Sequence, residues 1–232
     1  MSFDYQVIKR PRRRTVSISV KPDCSVQLLV PAYLSDRKIT DLVKQKSSWI
    51  KSKISYFKEI QKYHKEKEYV SGECFSYLGR NYRLNIDENH TNDRVRLVNG
   101  KFNIPVKAGL ENGERTSLII KLLSEWYQQQ AFTRLEEKVR LYARQTGVHP
   151  ASVGIKGYNS RWGSCHSDGR IFFNWRIIMA PHSVVDYVVV HELCHLVHHN
   201  HSRKFWGLVA TILPDYTEPK DWLRQNGGQL KI

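Results

Sequence analysis

The sequence predicts an α+β protein. Three observations carry this. Short runs in which apolar and polar residues alternate gather in the first hundred positions, as in Val16-Ser17-Ile18-Ser19-Val20; that is the period of a half-buried strand. From residue 115 apolar residues recur every three or four positions instead, the period of a helix. Two aromatic-rich runs meeting at Asp168-Gly169 directly precede an apolar segment that Pro181 opens, which predicts a hairpin followed at once by a helix. The 232 residues suffice for one sizeable core and a smaller second unit. We expect a β-rich, basic N-terminal region with one long helix over 1–110, and a second part over 111–232.

In chain order, Val16–Val20 and Val26–Val30 predict two strands around a Pro22-Asp23 turn. Ser35 or Asp36 can cap a helix running to about Lys67. Further strands are expected at Phe75–Ile86, Val95–Val98 and Phe102–Val106. Leu118, Leu122, Trp126, Leu135 and Val139 fall on one helical period from Arg115 to Thr146, and Gly147 supplies the terminator. The Asp168-Gly169 hairpin comes next, then the helix from Pro181. Phe205, Trp206 and Leu208 predict another helix, packed on what precedes it, and Asp221-Trp222-Leu223 starts a short last one. There is no internal repeat and no low-complexity linker.

The helix after Pro181 carries His191-Glu192-Leu193-Cys194-His195. Residues four apart on a helix lie one above the other, so two imidazoles at that spacing can close on one Zn²⁺. Glu192 is offset around the helix, near such a metal yet free to act as a base on water. At this chain's own His and Glu frequencies, about 0.02 chance H-E-x-x-H matches are expected. The surrounding valines and leucines predict a buried helix, and buried histidines need partners that a metal supplies.

Three histidines compete for the third ligand: His198, His199 and His201. A ligand one turn further along a straight helix completes a tetrahedron poorly. If the helix stops near His199 and Asn200 takes the left-handed conformation, His201 can return toward the metal. The spacing from His195 to His201 equals that of the metzincin pattern, but His198 stands where that pattern has glycine and no Met-turn follows. His201 is the expected ligand, with His198 and His199 outside the set. Cys194 points away from the His191–His195 face and is not expected to bind zinc.

Upstream, Tyr158–Cys165 and Arg170–Arg176 form the predicted hairpin. Its edge could receive an extended substrate as an added strand. Arg161 there can hold a carboxylate or phosphate, or stabilise a charged transition state, and Trp162, Ser164 and Asn174 are candidate substrate-binding residues.

Several runs together resemble the YgjP-like metal-dependent hydrolases, bacterial relatives of the SprT-like and Wss1-like zincin proteases. They are N-S-R-W-G-S-C at 159–165, F-N-W-R at 173–176, Ala180-Pro181, H-E-L-C-H-L at 191–196 and N-H-S-x-x-F-W at 200–206. R-R-R-T-V-S-I-S-V at 12–20, Lys21-Pro22-Asp23, Pro31, Trp49-Ile50 and Leu78-Gly79-Arg80 extend the likeness to the N-terminal half. The resemblance implies a minimal zincin-type core: a small antiparallel-edged sheet packed on the H-E-x-x-H helix, three histidine ligands at His191, His195 and His201, and a catalytic Glu192. It implies a zinc metallopeptidase. A nucleoside triphosphate pyrophosphatase activity is also attached to the YgjP-like name, and a DNA-associated SprT-like protease is a second alternative.

Composition narrows the setting. Cys24, Cys74, Cys165 and Cys194 are scattered, which predicts free thiols in a reducing compartment. Met1 is followed by polar and charged residues, and no run approaches the ~18 apolar residues of a membrane span, so a cytoplasmic enzyme without a membrane partner is expected. Thirty-seven Lys and Arg against 22 Asp and Glu leave +15. Lys9–Arg14 form one basic block, and Arg37, Lys38, Lys44, Lys46, Lys51, Lys53, Lys58, Lys62, Lys65 and Lys67 follow with Trp49, Tyr56, Phe57 and Tyr63 interleaved. Such a face suits nucleic acid, although aromatics at helical spacing also suit an inward apolar stripe. A basic rim would equally attract a nucleotide. The expected partners are therefore a polypeptide or nucleotide substrate with one Zn²⁺; nucleic acid on the N-terminal face is the alternative to a solvated basic face with inward-packed aromatics. A closed structural zinc site, the alternative to an enzyme, would have no use for Glu192.

Overall fold

The computed structural model describes residues 3–21, 23–63, 67–88 and 94–232; Pro22 and Lys65 fall outside these. The chain forms two compact units, Met1–Glu66 and Lys67–Ile232. Six helices and three small sheets are present among the described residues, a mixed α+β architecture.

In the first unit, β1 (Tyr5–Arg10) pairs in parallel with β3 (Val26–Pro31), and β2 (Ser17–Val20) pairs antiparallel on its other side. The alternation seen in the sequence puts Val26, Leu28 and Val30 into the core. β1 was not anticipated, because Tyr5-Gln6-Val7-Ile8-Lys9-Arg10 lacks clean alternation. One long helix was expected after Ser35; there are two, α1 (Asp36–Gln45) and α2 (Ser47–Tyr63), with Lys46 between them. An unbroken helix of that length would run about 40 Å, whereas a six-residue strand spans only about 20 Å. The break lets Ile39, Val43 and Ile50 share one small core. Arg37, Lys38, Lys44, Lys46, Lys51 and Lys58 lie exposed. Tyr56 and Phe57 are half-buried, while Trp49 stays 44% exposed.

In the second unit β4 (Cys74–Tyr77), β5 (Arg80–Asp87), β6 (Arg96–Val98) and β7 (Lys101–Pro105) form a sheet ordered β4-β5-β7-β6. The second part was expected to begin at residue 111. These strands instead bury Phe75, Tyr77, Leu84, Phe102 and Ile104 in the same core as the long helix α3 (Asn112–Thr146), so the compact unit begins at Lys67. α3 contributes Ile119, Leu123, Tyr127, Ala131, Leu135 and Val139, and Gly147 ends it in the left-handed conformation.

The last sheet positions the site. β10 (Arg170–Asn174) is central, parallel to β8 (Ser152–Lys156) and antiparallel to β9 (Gly163–Cys165), which lies at the edge. The Asp168-Gly169 hairpin forms as expected; β8 was not foreseen. A 3₁₀ turn (Trp175–Met179) leads to α4 (His182–Cys194), capped by Pro181. At the β4–β5 turn, Gly79 has φ +78° and a Cβ there would meet Pro181 Cα at 2.8 Å, so only glycine lets this turn rest on the start of α4. α4 is buried on nearly every side, by Val184, Val185, Val188, Val189, Val190 and Leu193 among others. Lys138 pairs with Asp186 at 2.5 Å, tying α3 to α4. Two amphipathic helices follow, α5 (Arg203–Ile212) and α6 (Thr217–Asn226).

Candidate metal centre

His191 and Glu192 occupy the last helical turn of α4, and His195 is its C-cap. The helix stops at Cys194, short of the expected His199. The Leu196, Val197 and His198 amides bond back to the Leu193 and Cys194 carbonyls, so the chain reverses through tight turns immediately after His195. Asn200 is not among the residues with positive φ, which corrects its expected role as the left-handed terminator. The early stop brings the His198 carbonyl to 3.0 Å from His195 Nδ1. A carbonyl only accepts, so Nδ1 carries the proton and Nε2 presents its lone pair.

The chain then delivers His201 just before α5. His201 Nε2 lies 3.1 Å from His195 Nε2 and 3.1 Å from His191 Nε2. Three nitrogens around tetrahedral zinc, each at about 2.0–2.1 Å, would stand roughly 3.4 Å apart. Among the described residues this triad is the one cluster of such donors compact enough to grip one ion. His198 and His199 do not join it. Converging lone pairs repel unless a cation lies between them, so the donor set fits a metal ion. Burial, then the neighbouring His195, His201 and Lys220, pushes the His191 pKa down to about 3, which keeps it in the neutral form that ligates. Its Nδ1 is buried and has no hydrogen-bond partner among the described residues, so its polar contact is through Nε2.

An aromatic wall backs the triad. Buried Phe205 lies 5.0, 4.6 and 4.9 Å, ring to ring, from His191, His195 and His201. Trp206 stacks on His201 at 5.6 Å and on Tyr216 at 5.4 Å. The expectation that Phe205 and Trp206 pack on this site is met. Lys220 Nζ sits 4.0 Å above the Trp206 ring. The sequence reading missed Lys220 and Tyr216, for they stand in a polar stretch without a recognisable motif.

Glu192 is only 6% exposed. A Cβ on Gly163 would fall 2.5 Å from its Oε1, so the carboxyl group lies against the backbone of β9. Burial drives its pKa up to about 8, against an opposing pull from Arg161. Arg161 is exposed, its guanidinium 5.5 Å from the Tyr158 ring. Ser164 Oγ is bonded to Tyr158 OH at 2.7 Å. Trp162 packs on the core, within 3.0 Å of where a Gly227 Cβ would stand. Asn174 is 3% exposed; its amide donates to the Tyr158 and Arg161 carbonyls and its Oδ1 accepts from the Arg176 amide. The Asn174 side chain, expected to meet substrate, thus holds the loop; Trp162 and Ser164 are half-buried there.

Cys165 and Cys194 are free thiols whose pKa burial raises, to about 11 and about 12. Neither is in the triad. No helix among the described residues is long and apolar enough to cross a membrane.

No curated protein sequence matches the chain. Among solved structures, the metallopeptidase zymogen abylysin of Pyrococcus abyssi is 21% identical, over 38% of this chain and 90% of that one, with a TM-score of 0.36. The family model described as YgjP-like, metallopeptidase domain, matches residues 14–226, a span that takes in the histidine triad, Glu192 and β9 alike. The chain belongs to the YgjP-like metallopeptidase domain family.

Proposed function

We propose that the protein is a zinc-dependent metallopeptidase, with His191, His195 and His201 holding one Zn²⁺ and Glu192 serving as general base. The convergence of three imidazole Nε2 atoms at 3.1 Å spacing, with a buried carboxyl on the next residue, carries this reading. Three neutral imidazoles with no carboxylate among them suit zinc better than magnesium or calcium. When bound, zinc supplies Lewis acidity, which acidifies water and polarises a carbonyl oxygen.

The protein's own groups divide the remaining work. Burial alone favours protonated Glu192, and a divalent cation on the triad would favour its carboxylate; from that form Glu192 takes a proton from the attacking water as its oxygen bonds to the scissile carbonyl carbon, then gives that proton to the departing amine nitrogen as the C–N bond breaks. Gly163 leaves room for that carboxyl. β9 is an edge strand, so its outward backbone can pair with an extended peptide; the buried Asn174 side chain does not make this contact. His198 fixes the tautomer of His195. Edge pairing suits a polypeptide and has no counterpart in a nucleotide substrate, which favours peptide hydrolysis over phosphoanhydride hydrolysis.

The test pairs wild type with Glu192→Gln, both zinc-loaded, against an unstructured protein and against nucleoside triphosphates. Peptide cleavage by wild type alone, at equal zinc content, supports the proposal. Phosphate or pyrophosphate release without proteolysis would overturn it.

A further inference from the structure

Two cations at the triad have no task in the hydrolysis just described. Lys220, on α6, projects over Trp206 at 4.0 Å, and Trp206 in turn lies 5.6 Å from His201 and 5.9 Å from His191. Arg161 stands two residues before Gly163, whose backbone touches Glu192. The two arise from different elements, and each is held near an aromatic ring rather than by a carboxylate: among the described residues neither takes part in an ion pair. Two neighbouring acids are paired elsewhere: Asp168 with Arg170 at 2.8 Å and Asp221 with Arg224 at 3.2 Å. The Arg161 and Lys220 side chains are exposed and so accessible to a ligand.

A cation over an aromatic face keeps its charge available while losing rotamer freedom. Two of them beside one reacting centre, neither ion-paired among the described residues, give an electropositive rim that favours anionic groups. We infer that Arg161 and Lys220 are specificity-determining residues that bind a carboxylate of the peptide substrate close to the scissile bond. This rests on the metallopeptidase reading and names the substrate class it leaves open. The carboxylate can belong to an Asp or Glu side chain or to the free C-terminus; an Arg fork and a Lys point charge accept either.

The experiment uses the full zinc-loaded chain and fluorogenic peptides of equal length, with Glu, Gln or Lys flanking the scissile bond, each as free acid and as C-terminal amide. The expected result is kcat/KM at least tenfold higher for Glu than for Lys peptides, expressed mainly in KM and shrinking as salt rises. Alternatively the same preference follows the free acid over the amide, which assigns the bound carboxylate to the chain end. Lys220→Met and Arg161→Met each reduce the preference by about fivefold, Lys220→Arg retains it, and Lys220→Glu turns it toward Lys peptides; zinc content and melting temperature verify that each variant is folded. Equal kcat/KM across the series, or a preference that no variant moves, overturns the inference while leaving the metallopeptidase reading intact. Failure to cleave any peptide, whatever its charge, overturns both.

Discussion

The end of α4 and the loop from Tyr158 to Asn174 are both dense in polar and aromatic residues, and both fall within the same family match. They spend those residues in opposite ways. At the end of α4, three imidazole nitrogens converge without a protein acceptor between them, and a buried carboxyl stands beside them. In the loop, Asn174 donates its Nδ2 hydrogens to the Tyr158 and Arg161 carbonyls and accepts from the Arg176 amide on Oδ1, and Ser164 bonds to Tyr158. Polar groups that converge on one another point to a ligand site; polar groups bonded to neighbouring backbone and side chains point to a scaffold. Residue type alone does not separate the two.

That contrast can be broken by substitution. The largest effect belongs to the triad. His201→Ala should lose stoichiometric zinc and reduce proteolysis at least a thousandfold, measured by metal analysis and peptide turnover together. Glu192→Gln comes next: kcat should fall about 10²–10⁴-fold with zinc retained. Gly163→Ala sharpens the comparison from the loop side. Its new methyl would occupy the place of the Glu192 carboxyl, so kcat should drop about tenfold to a hundredfold with zinc content and peptide KM little changed. Asn174→Ala should act on stability instead, costing about 1–3 kcal/mol by stranding buried backbone partners; a melting curve reads it, and kcat below the transition should stay within a few-fold of wild type.

A smaller effect appears with pH in the metal-free protein. His191 is held at about 3 against an ordinary 6.5. Between those values the unfolded chain binds a proton that the folded chain refuses, so this contribution to stability is lost as pH falls from 6.5 toward 3. Glu192, raised to about 8 from 4.5, acts with the opposite sign: the folded state holds a proton the unfolded state has released, and its contribution fades as pH rises from 4.5 to 8. Denaturant titrations across this range check both limbs, and His191→Phe should flatten the acid one.

The sequence disclosed the triad because helical spacing makes His191 and His195 neighbours without any tertiary information, and the valines around them already implied burial. It disclosed β2, β3, α3 and the Asp168-Gly169 hairpin for the same local reason. β8 and β1 escaped, since parallel pairing to a distant strand leaves little local trace. The division of the helix after Ser35 followed from the size of the sheet it covers, a tertiary constraint. Lys220 escaped most completely: its place follows from α6 returning over Trp206, and no nearby residue announces that return. Asn174 was misjudged because a buried amide and an exposed one look alike until their partners are known.

The central claim is that three imidazoles share one zinc ion. X-ray absorption spectroscopy of the zinc-loaded protein tests it most directly. The account predicts one zinc per chain with a nitrogen and oxygen shell at about 2.0–2.1 Å, multiple scattering from three imidazoles and no sulfur. A sulfur shell near 2.3 Å, or failure to bind zinc stoichiometrically, would contradict it.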